Sequence, residues 1–351
     1  MILRIVAAGL ALLVLVFITF SFYVSQPAFD EQRGVYQAVI ADRSQALTFA
    51  RSATAWILVT EHEDTRITGI DLTATYQIPA STDLLSWLPG VDQNELQTLA
   101  GPLVSVALDE LTQPVDYTYP HIGVGTNFKA HAEEVYLDDP PFLFPKLARA
   151  SAWNSDIPFL PRLDYEAELC AFPLEDIDGS GLDALPPFGL VLCNDVTDRW
   201  TLVKDLELSQ PMGLTGFATG KGCLDCLPTG YLVVIPRSPE FYRSIELSLY
   251  VNDRLRQRFS MDDIILPIEG IVRQTFDARD EPYTAGDEIV SILPHGHMPK
   301  GTLLLTGTAA GVIFKPANIW HQGLYLQAGD VVRVEAPYLG FLQNRISGAQ
   351  Q

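Results

Sequence analysis

The sequence predicts a mainly β fold with minor α content, preceded by a membrane-spanning helix. Three observations carry this. From about residue 116 onward, short runs rich in β-branched and aromatic residues alternate with Gly and Pro punctuation. Few stretches have the length and 3.6-residue apolar period of an amphipathic helix. At the N-terminus, residues 5–24 are almost all apolar and none is charged, close to the roughly 20 residues that a helix needs to cross a hydrocarbon core.

In chain order, the anchor comes first. Its apolar run exceeds the roughly 7–15 residues usual for a signal peptide. The following VSQPAF is a poor cleavage site, so an uncleaved anchor is the expectation. Pro27 and the acidic pair Asp30-Glu31 then mark the exit from the bilayer. Arg4 and the amino terminus favour a cytoplasmic N-terminus, although Arg33 and Arg43 weaken that bias. The large domain is therefore expected outside the cytoplasm, in the periplasm of a Gram-negative source.

Residues 28–50 read as helix from their helix formers, although the spacing is mixed. Segments 54–60 and 66–77 read as strands, and DLLSWL and VDQNELQTLAG as short helices around Pro89-Gly90. Strands are expected at 164–172, 188–194, 201–208, 231–236, 244–251, 288–292, 303–306 and 331–335. LPPFG (185–189) and DIDGSG (176–181) are loops. DIDGSG lacks the closing glutamate of an EF-hand.

The chain has 351 residues, 48% of them hydrophobic, and a formal charge of −20. It can bury a large core. It carries no basic stripe, which excludes nucleic acid as a partner. Four cysteines are too few for a disulfide scaffold. Cys223 and Cys226 have C-x-x-C spacing, but neither a thioredoxin-like context nor a second zinc pair accompanies them. They read as loop thiols, or as a disulfide in an exported domain. Cys170 and Cys193 are expected to approach one another if their strands pair, with a bond between them the lesser expectation.

Chemistry is concentrated in two segments, LDYEAELCAF (163–172) and LVLCNDVTDR (190–199). Glu166 and Glu168 are two apart, so on a strand they share a face. Asp195, on a later segment, completes an oxygen-rich set suited to magnesium, with manganese or calcium as alternatives. Such carboxylates in apolar strands are costly without a neutralising cation. By itself, an E-x-E pair is more often a solvated strand face.

The company of these segments changes that. GVGTNFKAHAEEV (123–135), TGKGCLDCLPTGY (219–231), LYVNDRLRQ (249–257), LLLTGTAAGV (303–312) and QAGDVVRVEAPYLGFLQNRI (327–346) occur in order around them. The colinear set, over roughly residues 115–347, resembles the fumarylacetoacetate hydrolase family. Phe128 stands where the family has tyrosine, Trp200 where aspartate is common, and Ala309 where T-G-T-P has proline. No departure removes a titratable group of the inferred site.

The resemblance implies a rolled mixed β-sheet with a metal in its open mouth. Together with the apolar N-terminal run, it divides the chain into an anchor (1–27), a small N-terminal region (28–115) and a catalytic domain (116–347). It implies Glu166, Glu168 and Asp195 as metal ligands. His131 with Glu134, at i and i+3 on a helical lid, becomes the water-activating base pair. Lys221 is expected to stabilise a developing enolate. Arg199, Thr308 and Lys146 are expected to hold substrate, with Lys146 alternatively anchoring the lid and Arg199 alternatively bracing Asp195. The substrate class implied is a small 2-oxo acid or 1,3-dicarbonyl, cleaved at a C–C bond. Decarboxylation, isomerisation and dienoate hydration are alternatives on the same scaffold. A homodimer and a tethered non-catalytic binding protein are further readings. His295 and His297 form a minor metal candidate.

Overall fold

A computed structural model describes residues 2–137 and 139–348. The N-terminal helix, Ile2–Val24, is long and apolar enough to cross a membrane, with a mean hydropathy of 2.7 over the best window and almost no burial against the rest of the chain.

The remainder is mostly β. One sheet has eleven strands. Its centre is the antiparallel pair Ala167–Pro173 and Phe188–Asn194, both buried along their length. That explains their near-continuous apolar sequence. Leu304–Leu305 flanks the pair on one side and leads to His121–Gly125 and Phe142–Lys146. On the other side Val233–Pro236 pairs with Ala46–Ser52, so strands from the 28–115 region extend the same sheet. A second sheet of five strands, including Glu246–Val251, Arg254–Ser260 and Val331–Ala336, packs against the first.

Three expectations need correction. Of residues 66–77, expected as strand, Arg66–Asp71 is a strand, but Leu72–Tyr76 is a helix capped by Asp71, whose side chain accepts from the Ala74 amide. Residues 28–45 contain no helix. They form an extended strap over the second sheet, fixed by partners distant in sequence. Arg33 pairs with Asp253 and Glu335, Asp30 with Arg256, and the Tyr36 hydroxyl donates to the carbonyls of Ala336 and Gly340. The mixed apolar spacing offers no helical face to bury, so these tertiary contacts decide the conformation. Of residues 201–208, expected as strand, none forms a strand, and 201–205 lie in the helix Arg199–Asp205. Asp198 caps it by accepting from the Trp200 and Thr201 amides, a signal that outweighs the β-branched residues behind it.

The strands His121–Gly125, Phe142–Lys146, Arg254–Ser260 and Gly340–Ser347 and the helix Ile268–Asp277 were not among the expected elements.

Candidate active site

The central strand pair positions the acidic residues. Asp195 follows the strand Phe188–Asn194, and Glu166 precedes Ala167–Pro173. The Asp195 amide donates to the Glu166 carbonyl, and the Glu166 amide to Asn194 Oδ1. Glu166, Glu168 and Asp195 are all buried, and each offers an oxygen within 4.8 Å of the others. The E-x-E spacing and the later N-D therefore converge as expected.

Cations surround this cluster. Lys221 Nζ donates to Glu166 Oε2 and Asp195 Oδ2, each at 2.7 Å, and to Thr197 Oγ1 at 3.0 Å. Lys146 is fully buried behind the cluster. Its Nζ lies 2.6 Å from Asp195 Oδ1 and donates to the Cys226 carbonyl. It thus supports Asp195 and does not reach the lid. Arg199 places Nε 2.8 Å from Asp164 Oδ2 and another guanidinium nitrogen on Glu166. It braces Asp164 and Glu166, not Asp195.

These contacts set the protonation of the acids. Burial works to raise Glu166, but Lys221 and then Arg199 override it and hold the carboxyl down at about 2. Among the described residues Glu168 has no ion pair, and Lys221 acts on it only from a distance. Burial, with Asp195 and Glu166 beside it, pushes its carboxyl well above the usual range, against one 2.7 Å hydrogen bond from the Gly307 amide. The neighbouring ammonium and guanidinium groups thus leave one acid short of a counter-charge, which a divalent cation held by the three carboxylates would supply. The donor set, all carboxylate oxygen, fits magnesium, manganese or calcium.

Gly307 reaches Glu168 because its φ is +88° and a Cβ there would lie 2.9 Å from Asn127 Cβ. Thr308 follows it. Its hydroxyl donates to the Ala167 carbonyl and accepts from Gln257 Nε2.

His131 and Glu134 lie on the short helix Lys129–Glu134. His131 Nδ1 is 3.4 Å from Glu134 Oε2, and both are largely buried, whereas Glu133 is exposed. Glu134 also accepts from the Gly311 amide and pairs with Lys315 at 2.6 Å. Burial works to raise the Glu134 carboxyl, but His131 and Lys315 outweigh it and keep it below its usual value. The carboxylate is therefore fixed from three sides, and it fixes the imidazole.

One cavity of about 290 Å³ brings His131, Glu166, Arg199, Lys221 and Thr308 together. Lys146 does not line it. Asp164, Lys315, Gln257 and Thr197 were not singled out in the sequence. Asp164 stood inside the quoted DYEAE segment. Besides Arg199, it accepts from the Ile313 and Phe314 amides. Thr197 stood two residues after Asp195 inside LVLCNDVTDR, and Gln257 closed the quoted LYVNDRLRQ, but neither carries a charge that would draw notice. Lys315 reaches Glu134 from a distant segment, which spacing does not reveal. His295 is exposed and His297 half-buried beside it. Among the described residues, the metal-ligand grouping contains only Glu166, Glu168 and Asp195.

Cys170 and Cys193, on the central strand pair, form a disulfide with Cα atoms 5.9 Å apart, and Cys223 and Cys226 form a second. The first exceeds the expectation of proximity alone.

Fold and site together define a β-rich protein with a buried acidic centre able to hold a divalent cation. Residues 120–347 match the family model described as fumarylacetoacetate (FAA) hydrolase C-terminal, and the chain belongs to that family. A search of curated protein sequences finds no match. Solved structures show the same fold. Fumarylacetoacetate hydrolase from Exiguobacterium antarcticum is 20% identical with a TM-score of 0.57, covering 87% of this chain and 100% of that one. Maleylpyruvate hydrolase from Sphingobium sp. SYK-6, in complex with manganese (II) ion and pyruvate, is 18% identical with a TM-score of 0.55, covering 86% and 100%. A 2-hydroxyhepta-2,4-diene-1,7-dioate isomerase from Mycobacterium marinum is 18% identical with a TM-score of 0.54, covering 86% and 98%.

Proposed function

We propose that this protein is a divalent-metal-dependent hydrolase that cleaves a C–C bond in an acylpyruvate-like 2-oxo acid or 1,3-dicarbonyl. The observation that carries this reading is the shared cavity. It is lined by His131, which a buried glutamate fixes, and by Glu166, whose neighbours Glu168 and Asp195 complete, behind the wall, a carboxylate centre suited to magnesium, or to manganese or calcium. The named activities of the structurally similar proteins, hydrolases and an isomerase, are compatible with it.

Bound at the three carboxylates, the cation would act as a Lewis acid toward the oxygens of the 2-oxo acid. Glu134 holds His131 through Nδ1, which leaves Nε2 to take a proton from water. As that proton leaves, the water oxygen bonds to the distal carbonyl carbon. The C–C bond to the adjacent carbon breaks. Its electron pair passes into the 2-oxo acid half, where Lys221 stabilises the oxygen gaining charge. Return of the proton to the cleaved carbon gives one carboxylic acid and one 2-oxo acid. Thr308 and Arg199 shape the oxo-acid end of the cavity, and Lys146 keeps Asp195 in place from behind.

The apolar N-terminal helix is read as a single-pass anchor with the catalytic domain on the non-cytoplasmic side, and a homodimer as the assembly.

His131→Ala tests the role of the base. Turnover of an acylpyruvate, followed by loss of its absorbance, should fall roughly 10²–10⁴-fold, while metal content and melting temperature stay near wild type. Near-normal hydrolysis by this variant would sink the mechanism. Decarboxylation needs no attacking water, so an oxaloacetate-type activity untouched by the substitution would favour the lyase reading.

A further inference from the structure

The hydrolase reading leaves the far end of the substrate undefined, and three observations bear on it. The first is the cavity wall. Away from the carboxylates it is built from apolar side chains, among them Phe142, Leu202, Leu206, Met212, Phe217 and Ile319. Among the described lining residues, the lysine and arginine side chains are Lys221 and Arg199, and both are already paired with the acids at the reacting end. No lysine or arginine is left in that lining to receive a second carboxylate, and burying one unpaired in such a wall is costly.

The second is the buried charge. Asp164, Glu166, Glu168 and Asp195 face Lys146, Arg199 and Lys221, which leaves one formal negative charge in excess. A divalent cation turns this into one positive charge. A single substrate carboxylate closes the balance, and a second would reopen it.

The third is the position of the rim. Leu208 is 83% exposed, and Pro316 is exposed beside the wall residue Ile319. The same short segment is tied to the end of the N-terminal helix. Ser21 Oγ donates to the Ala317 carbonyl at 2.7 Å and accepts from Trp320 Nε1 at 3.2 Å. The Trp320 ring lies 6.4 Å from those of Phe17 and Phe22. An aromatic residue at the end of an apolar helix suits a membrane–water boundary.

We propose that the substrate is a monocarboxylic 2-oxo acid or 1,3-dicarbonyl carrying an apolar tail. It is an amphiphile that meets the cavity at the membrane surface, and not a diacid. This rests on the hydrolase reading for the oxo-acid end only.

Binding can be measured apart from turnover. The full chain in lipid nanodiscs with magnesium is titrated calorimetrically with 2-oxobutanoate, 2-oxohexanoate, 2-oxooctanoate and 2-oxododecanoate, and with the diacid 2-oxoadipate. Affinity should rise with tail length, by roughly fourfold per buried methylene until the cavity is filled. 2-Oxoadipate should bind more weakly than 2-oxohexanoate of equal length. Met212→Lys puts a cation in the apolar wall and should blunt the long-tail preference while strengthening 2-oxoadipate. Flat affinities, a preference for the diacid, or a chain-length trend unchanged in Met212→Lys, as partition into lipid would produce, overturns the proposal. If the trend holds but acylpyruvates are not cleaved, the hydrolase reading fails while the tail-binding site stands.

Discussion

At the scale of single residues, Glu168 is the most revealing group. Its neighbours Glu166 and Asp195 are met by Lys221, whereas among the described residues Glu168 receives only the Gly307 amide. Its carboxyl is therefore held well above its ordinary value of 4.5. A carboxyl raised on folding keeps its proton in the folded chain after the unfolded chain has lost it. Its contribution to stability is full below about 4.5 and is lost as pH rises through the raised value. Glu166, held down at about 2, acts oppositely. Its contribution is present above 4.5 and disappears as pH falls toward 2. In chelated protein, melting temperature should therefore decline on the alkaline side, and Glu168→Gln should reduce that decline. Magnesium should raise the wild-type melting temperature more as pH increases. A magnesium shift that shrinks with rising pH would count against Glu168 as a ligand. Glu166 and Glu168 were legible because two-residue spacing keeps side chains on one side of an extended chain, and Asp195 because it sits in the colinear N-D segment that follows. Asp164 and Lys315 were not, because their roles depend on meeting Arg199 and Glu134 across long stretches of chain.

At the scale of elements, the sequence was most reliable where one segment carries its own instructions. The strand Phe188–Asn194 is apolar on both faces and is buried on both. The short helices Leu84–Trp87 and Gln93–Thr98 start at Asp83 and Asp92, whose side chains cap them. It failed where distant partners decide, as in the strap that Arg33 and Tyr36 pin to the second sheet. The N-terminal helix belongs to the first kind, since its length and uniform apolarity stand without tertiary help. If it is an uncleaved anchor, the intact mass of detergent-extracted protein will include residues 5–24. A mature N-terminus near Pro27 or Ala28 would instead identify a cleaved signal. The same helix end contributes Ser21 to the segment bordering the cavity, so its removal would also strip Trp320 and Ala317 of these partners.

At the scale of the whole molecule, fold and site depend on the same central strand pair. Ala167–Pro173 and Phe188–Asn194 form the middle of a sheet that reaches from the 28–115 region to the strand Phe142–Lys146, which ends in Lys146. The disulfide between Cys170 and Cys193 joins the two strands next to the acids they carry. The colinear motifs made the family legible, yet not the reaction, because the acidic centre is compatible with several enolate chemistries. On the proposed reading each of those chemistries uses the cation. The most direct test is therefore the metal content of the purified protein, measured by mass spectrometry for wild type, Glu168→Gln and Asp195→Asn. The account predicts one divalent ion per wild-type chain and a sharp loss in both variants. A metal-free wild type after magnesium loading, or full occupancy in both variants, would contradict it.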